Sequence, residues 1–138
     1  MTTATPSRLS ALVAGENLLP FSLRLDAVVT TANGLAYLAL AQPLETLLGL
    51  DAGLGRAIGV FLTVYGLAVA VIGTRTPVNR PATAAVALGN SAWVVASLAA
   101  LLSGALSPTT VGAVWTVMQS VTVGAFAALQ YLGLRRTR

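Results

Sequence analysis

The stretch RAIGVFLTVYGLAVAVIGT, residues 56–74, decides the class of this protein. From residue 57 onward it holds no charged side chain, and its length suits one helical crossing of a bilayer, because about 30 Å of hydrocarbon needs roughly 20 apolar residues. The whole chain shares this character, since 56% of its 138 residues are hydrophobic, 9% are charged and the mean hydropathy is +0.82. We therefore predict an integral membrane protein.

Three more apolar stretches of similar length are separated by charged residues or by proline and glycine. The four predicted spans are residues 23–41, 56–74, 81–103 and 109–134. This pattern predicts an all-α, polytopic four-helix membrane bundle over residues 23–134. Residues 1–22 are predicted to form a cytoplasmic N-terminal segment, and residues 135–138 a basic cytoplasmic tail.

The arginines give the predicted orientation. Seven of the eight fall on one side of the predicted spans: Arg8, Arg24, Arg75, Arg80, Arg135, Arg136 and Arg138. Arg56 falls on the other side, with Glu45 and Asp51. By the positive-inside rule we expect a multi-pass protein of the bacterial cytoplasmic (inner) membrane with both termini in the cytoplasm. Topology then accounts for the pI near 10.8, and no nucleic-acid partner is expected.

Features outside the spans predict further helix starts and stops. In QPLETLLGLDAG, residues 42–53, Pro43 suits a first turn, Glu45 the positive helix end and Gly49 a stop, which predicts a short interfacial helix in the first outer loop. In the second outer turn, Ser107 is the predicted N-cap of the fourth helix. Residues 7–18 form either a short amphipathic helix on the inner leaflet or a frayed tail.

Polar and aromatic residues recur at helical spacing inside the spans. Counting 1.5 Å per residue from the charged end of each span places Asn33, Tyr65 and Asn90 in one layer, and Tyr37, Ser97 and Gln119 in a second. Asp26, two residues past Arg24, is predicted at the inner interface, where it caps the first helix or pairs with an arginine. The candidate intramembrane polar or ligand-facing residues are Asp26, Asn33, Tyr37, Tyr65, Asn90, Trp93, Trp115 and Gln119.

Two interpretations of these residues stay open. In the first, they hydrogen-bond between helices and fix the register of the bundle, with Asn33 bound to Asn90 or Tyr65. In the second, they line a small cavity whose ligand meets Asn33, Asn90 or Gln119 with its polar end and rests on aromatic rings.

The absence of two residue types limits the chemistry. The chain contains no cysteine and no histidine, which excludes thiol redox reactions, haem ligation through those residues and the usual zinc sites. No nucleophile–base pair or phosphate-binding loop is visible. We therefore expect a protein that is not an enzyme and that carries no cofactor.

Several runs resemble a family of small four-helix integral membrane proteins common in actinobacteria. They are LRLDAVVTTANGLAYLAL (23–40), VFLTVYGLAV (60–69), GNSAWVVAS (89–97), SPTTVGAVW (107–115) and ALQYLGLRR (128–136). The resemblance covers residues 23–136 and implies the same topology, but it implies no catalytic residues, because that family has no established activity. In layout alone the chain is also similar to DoxX-like membrane proteins.

Two functions fit these observations. The first is an accessory subunit or a binder of a small hydrophobic ligand, surrounded by lipid and partnered by a second copy or another membrane protein. The alternative is a dimeric transporter similar in size to small multidrug resistance proteins. Those proteins carry a mid-membrane Glu in the first helix, where this chain has Asn33. Substrate-dependent proton flux that Asp26→Asn abolishes would favour the transporter.

Overall fold

The computed structural model of the chain describes residues 15–104 and 107–136, with side chains from residue 18 onward. All secondary structure in these residues is helical, as predicted. The helices are α1 Gly15–Ala39, α2 Ala41–Leu48, α3 Ala52–Thr74, α4 Arg80–Ser103 and α5 Thr110–Arg136. Three of them, α3, α4 and α5, are long and apolar enough to cross a membrane.

Side-chain caps and a glycine fix several helix ends. Asp51 Oδ2 accepts a hydrogen bond from the Leu54 amide at 3.0 Å and starts α3, and Asn79 Oδ1 accepts one from the Ala82 amide at 2.9 Å and starts α4. Helix α2 ends at Gly49, whose φ of 72° lies in the left-handed region that glycine adopts without strain.

The last helix, α5, begins at Thr110, two residues later than an N-cap at Ser107 would give. Thr109, not Ser107, provides the capping oxygen, because its Oγ1 accepts a hydrogen bond from the Gly112 amide at 3.0 Å. The same hydroxyl donates to the Leu47 carbonyl at 2.6 Å, so the cap also joins the start of α5 to the end of α2. This contact with α2 favours Thr109 as the cap of α5. It could not be predicted from the local sequence, because it depends on where α2 lies.

Helix α1 begins well before residue 23, where the first span was predicted to start. Residues 15–22, assigned to the N-terminal segment from sequence, are its first two turns. Pro20 is accommodated inside the helix, and the leucines around it are buried: Leu18, Leu19 and Leu23. The burial of these leucines outweighs the loss of one backbone donor at Pro20. Residues 7–14 of the proposed amphipathic helix lie outside the described residues.

The long helices pack as two antiparallel pairs. Helix α1 lies along α3, helix α4 lies along α5, and contacts between α1 and α5 join the pairs. The α1–α3 contact is close because Gly34 and Gly59 meet: a Cβ on Gly59 would lie 2.9 Å from the Gly34 carbonyl oxygen. In contrast, α3 and α4 scarcely touch, although they follow each other in the chain. A gap therefore separates these two helices.

Apolar side chains cover the outer faces of the bundle. Leu88, Val121 and Leu102 expose 72%, 69% and 85% of their surface, and many other large apolar side chains are more than half exposed. Arginines gather at one end, where Arg24 Nε donates to the Gly73 carbonyl at 2.9 Å and Arg80 Nη2 donates to the Leu134 carbonyl at 2.6 Å. The exterior is thus more apolar than that of a typical water-soluble monomer.

Candidate functional site

A buried carboxylate organises the polar interior. Asp26 on α1 is 1% exposed, and its Oδ1 accepts a hydrogen bond from Thr30 Oγ1 at 2.8 Å. Its Oδ2 accepts two more, from Asn90 Nδ2 on α4 and from Gln130 Nε2 on α5, both at 2.8 Å. Three donors thus bind the carboxylate, and all three are uncharged.

Tyr65 on α3 joins this group of residues through Asn90, one of the partners of Asp26. Its one hydroxyl hydrogen is shared between Asn90 Oδ1 and the Val86 carbonyl oxygen, each 3.1 Å from the hydroxyl oxygen. Asn90 Nδ2 also donates to Gln130 Oε1 at 3.1 Å. We call Asp26, Thr30, Tyr65, Asn90 and Gln130 the Asp26 network. It contains a residue from each of the four long helices, so it fixes their mutual register.

The surroundings of Asp26 differ from the sequence prediction. The carboxylate neither caps α1 nor pairs with an arginine of the described residues, and Arg24 turns to the end of α3 instead. The reason is the early start of α1, which places Asp26 about 16 Å from Gly15 along the helix axis. Asp26 therefore lies within the bundle and contacts the middle of α4 through Asn90.

A second polar cluster lies nearer the opposite end of α1. The Tyr37 hydroxyl accepts hydrogen bonds from Trp115 Nε1 at 2.9 Å and from Gln119 Nε2 at 3.0 Å. We call these three residues the Tyr37 cluster. Ser97, predicted in the same layer, lines a smaller pocket of about 90 Å³ beside the cluster, together with Trp93.

An open cavity of about 460 Å³ lies between the two clusters. Thr30, Tyr65 and Asn90 of the Asp26 network line one end, and Trp115 and Gln119 of the Tyr37 cluster line the other. The walls between them are mostly apolar and come from all four long helices: Val29, Phe61, Leu62, Ala92, Trp93, Ala96, Met118, Val123 and Phe126. Its volume lies within the range of small-molecule sites.

The gap between α3 and α4 is bridged by an aromatic pair at the cavity. The rings of Phe61 on α3 and Trp93 on α4 stack with centroids 5.7 Å apart and an interplanar angle of 14°. Phe61 is 50% exposed. On this side of the cavity, α3 and α4 are therefore connected by an aromatic contact and not by a packed helix interface.

Asn33 does not make the contacts expected of it. Its predicted partners Asn90 and Tyr65 bind each other and the Asp26 network, and Asn33 has no hydrogen-bond partner among residues 15–104 and 107–136. It is half-buried and lines the cavity. The carboxamide therefore presents both a donor and an acceptor to the cavity.

Of the predicted candidates, the structure brings six into the cavity lining: Asn33, Tyr65, Asn90, Trp93, Trp115 and Gln119. Asp26 lies behind that lining, and Tyr37 holds the two residues at one end. Sequence reasoning missed Gln130, which is fully buried. The sequence pattern could have identified Gln130 as inward-facing, because Gln119, Phe126 and Gln130 lie on one helical face with spacings of seven and four residues.

The sequence matches no family model, no curated protein and no solved structure. Within the described residues, no three His, Cys, Asp or Glu side chains lie together as a group able to hold a metal ion. The geometry of the cavity is thus the basis for a functional proposal.

Proposed function

We propose that the protein is a four-span membrane protein, without enzymatic activity, that binds a small amphipathic ligand in the cavity between its helices. The carrying observation is the cavity itself, which has polar side chains at both ends. Its wall also holds the carboxamide of Asn33, which has no hydrogen-bond partner among the described residues. Such a combination of apolar walls and a few polar groups is typical of ligand sites.

The membrane part of the proposal draws on helix length and surface. Helices α3, α4 and α5 are long and apolar enough to cross a bilayer. Helix α1, with 25 residues, has the length for a fourth crossing. Of its three charged residues, Glu16, Arg24 and Asp26, the last is buried against protein. We propose that α1 crosses too, because it packs along α3 and shares the polar interior.

The orientation proposed is that both termini face the cytoplasm of a bacterial cell. Arg24 and Arg80 contact the ends of α3 and α5 at one end of the bundle, whereas Glu45 and Asp51 precede α3 at the other. The positive-inside rule places the arginine end in the cytoplasm.

The cavity proposal is tested by filling the cavity. In Ala96→Phe the new ring replaces space that a ligand would occupy, because Ala96 lines the cavity. Ala99→Phe is the matched control, since Ala99 is exposed on the same helix and is not part of the lining. We expect native mass spectrometry in mild detergent to show an added mass of a few hundred daltons on the unmodified chain and on Ala99→Phe, but not on Ala96→Phe.

Two results would contradict the proposal. An added mass that persists in Ala96→Phe would place the ligand elsewhere. A chain that carries no small molecule, but comes with a second polypeptide, would instead favour the role of an accessory subunit.

A further inference from the structure

We infer that the ligand of this cavity is an organic cation, namely a protonated amine on an apolar or aromatic body. The inference rests on the proposed function and adds the chemical class of the ligand. It comes from three features of the site: an uncompensated carboxylate, acceptor groups in the lining and aromatic walls.

The first feature is the charge on Asp26. A buried carboxylate in a low-dielectric interior is costly unless a cation balances it. The donors to Asp26 are a hydroxyl and two carboxamides, which stabilise the charge but do not cancel it. Two of them, Thr30 and Asn90, also line the cavity, so the carboxylate lies directly behind its wall. A cation in the cavity would supply the missing positive charge at short range.

The second feature is the hydrogen-bonding character of the lining. Most polar lining side chains already donate to protein acceptors: Thr30, Tyr65, Asn90, Trp115, Gln119 and Thr122. Asn33 and Trp93 are the exceptions within the described residues. In the part of the chain that the structure describes, two carbonyl oxygens of the lining, Asn33 Oδ1 and Gln119 Oε1, keep free lone pairs, beside the free N–H donors of Asn33 and Trp93. An ammonium group has only donors and matches these oxygens.

The third feature is the aromatic surface. Phe61, Tyr65, Trp93, Trp115 and Phe126 all line the cavity. The faces of such rings carry partial negative charge and attract cations within about 6 Å of the ring centre. The same rings offer apolar area to the body of the ligand. No arginine of the described residues belongs to the lining, so none of them competes for these faces.

The test uses three probes with one carbon skeleton: phenylbutylammonium, phenylbutanol and phenylbutanoate. Each is titrated calorimetrically into the full chain in nanodiscs of zwitterionic lipid, and the signal from empty nanodiscs corrects for partition into lipid. We expect saturable binding in the order ammonium, alcohol, carboxylate, with the ammonium about tenfold tighter than the alcohol, which corresponds to about 1.4 kcal/mol.

Two variants locate the origin of the preference. Asp26→Asn should reduce the ratio of ammonium to alcohol affinity to near one. Asp51→Asn, the same change at the cap of α3, should leave that ratio unchanged, because Asp51 accepts its side-chain hydrogen bond from Leu54, which is not part of the cavity lining. The order of the three probes on the unmodified chain stands as a test by itself, should Asp26→Asn fail to fold.

The outcomes separate the inference from the proposed function. Saturable binding of phenylbutanol that equals or exceeds that of phenylbutylammonium would overturn the inference and leave a ligand-binding cavity standing. Retention of the ammonium preference in Asp26→Asn would remove Asp26 as its cause. Absence of saturable binding for all three probes would count against the cavity as a ligand site and thus against both.

Discussion

Two asparagines show how position determines the role of the same side chain. Asn90 is buried and uses its carboxamide fully, with Asp26 and Gln130 as acceptors and Tyr65 as donor. Asn33 has no such partner among the described residues and lines the cavity. One carboxamide therefore serves the stability of the bundle, and the other is available to a ligand.

Replacing each asparagine by leucine should separate these roles. Asn90→Leu removes one donor to the buried Asp26 carboxylate and one of the two acceptors of the Tyr65 hydroxyl, so we expect it to lower the free energy of unfolding by about 1–3 kcal/mol. Asn33→Leu breaks no hydrogen bond with residues 15–104 or 107–136 and should leave that free energy unchanged within about 0.5 kcal/mol. Thermal unfolding in detergent, followed by circular dichroism, measures both. A loss of equal size in both variants would mean that Asn33 has a structural partner.

The residue types of the site could be predicted from sequence, but the pairing could not. Polar side chains at helical spacing identified Asn90, Tyr37 and Gln119 as inward-facing. Which of them meet depends on the rotation and offset of neighbouring helices, and the sequence of one helix does not contain these quantities. The error in the partners of Asp26 has the same origin, because Asn90 of α4 and Gln130 of α5, and not an arginine, meet its carboxylate.

At the scale of elements, the contact between α1 and α3 depends on small residues. A Cβ added to Gly59 would lie 2.9 Å from the Gly34 carbonyl oxygen and 3.0 Å from the Leu38 amide nitrogen. Both atoms belong to the backbone of α1, so they can give way only if the helix moves. The close approach also sets where Asp26 and Asn33 lie relative to the cavity, since both are on α1.

A single methyl group should therefore disturb this pair of helices. We expect Gly59→Ala to lower the free energy of unfolding by about 1–3 kcal/mol through overpacking. Gly124→Ala is the control, because a Cβ there would meet only Val94 Cγ2, at 3.9 Å. That substitution should be neutral or stabilise α5 by up to about 1 kcal/mol, since alanine favours helix more than glycine. Similar losses at both positions would argue against the α1–α3 contact.

Helix limits were predictable where a local signal controls them. Gly49 ends α2 as expected, and α4 begins within one residue of its predicted span. The start of α1 was predicted at residue 23, whereas the helix begins at Gly15 and continues through Pro20. Tertiary burial of Leu19 against Gly133 of α5 keeps the helix continuous there. Local rules fail at this point because packing, and not capping, determines the limit.

At the scale of the whole molecule, the distribution of polarity is the reverse of that in a water-soluble bundle. Asp26, Asn90 and Gln130 are buried, whereas apolar side chains such as Leu88 and Val121 are exposed. Hydrocarbon around the bundle would make the exposed apolar surface favourable and would favour hydrogen bonding among the polar groups inside. This distribution supports the proposed crossing of α1 as well, because Ser22, Asp26 and Thr30 of that helix are buried against protein.

The proposed four-span arrangement places successive loops on opposite sides of the membrane, which single cysteines can report because the chain has none of its own. A membrane-impermeant maleimide added to intact cells should label Thr46→Cys and Ser107→Cys. It should label Thr3→Cys and Thr76→Cys only after the cells are permeabilised. Thr46, Thr76 and Ser107 are exposed, so access to the reagent depends on the side of the membrane. Labelling of Thr3→Cys together with Thr46→Cys in intact cells would show that α1 does not cross, and the reverse pattern at all four positions would show the opposite orientation.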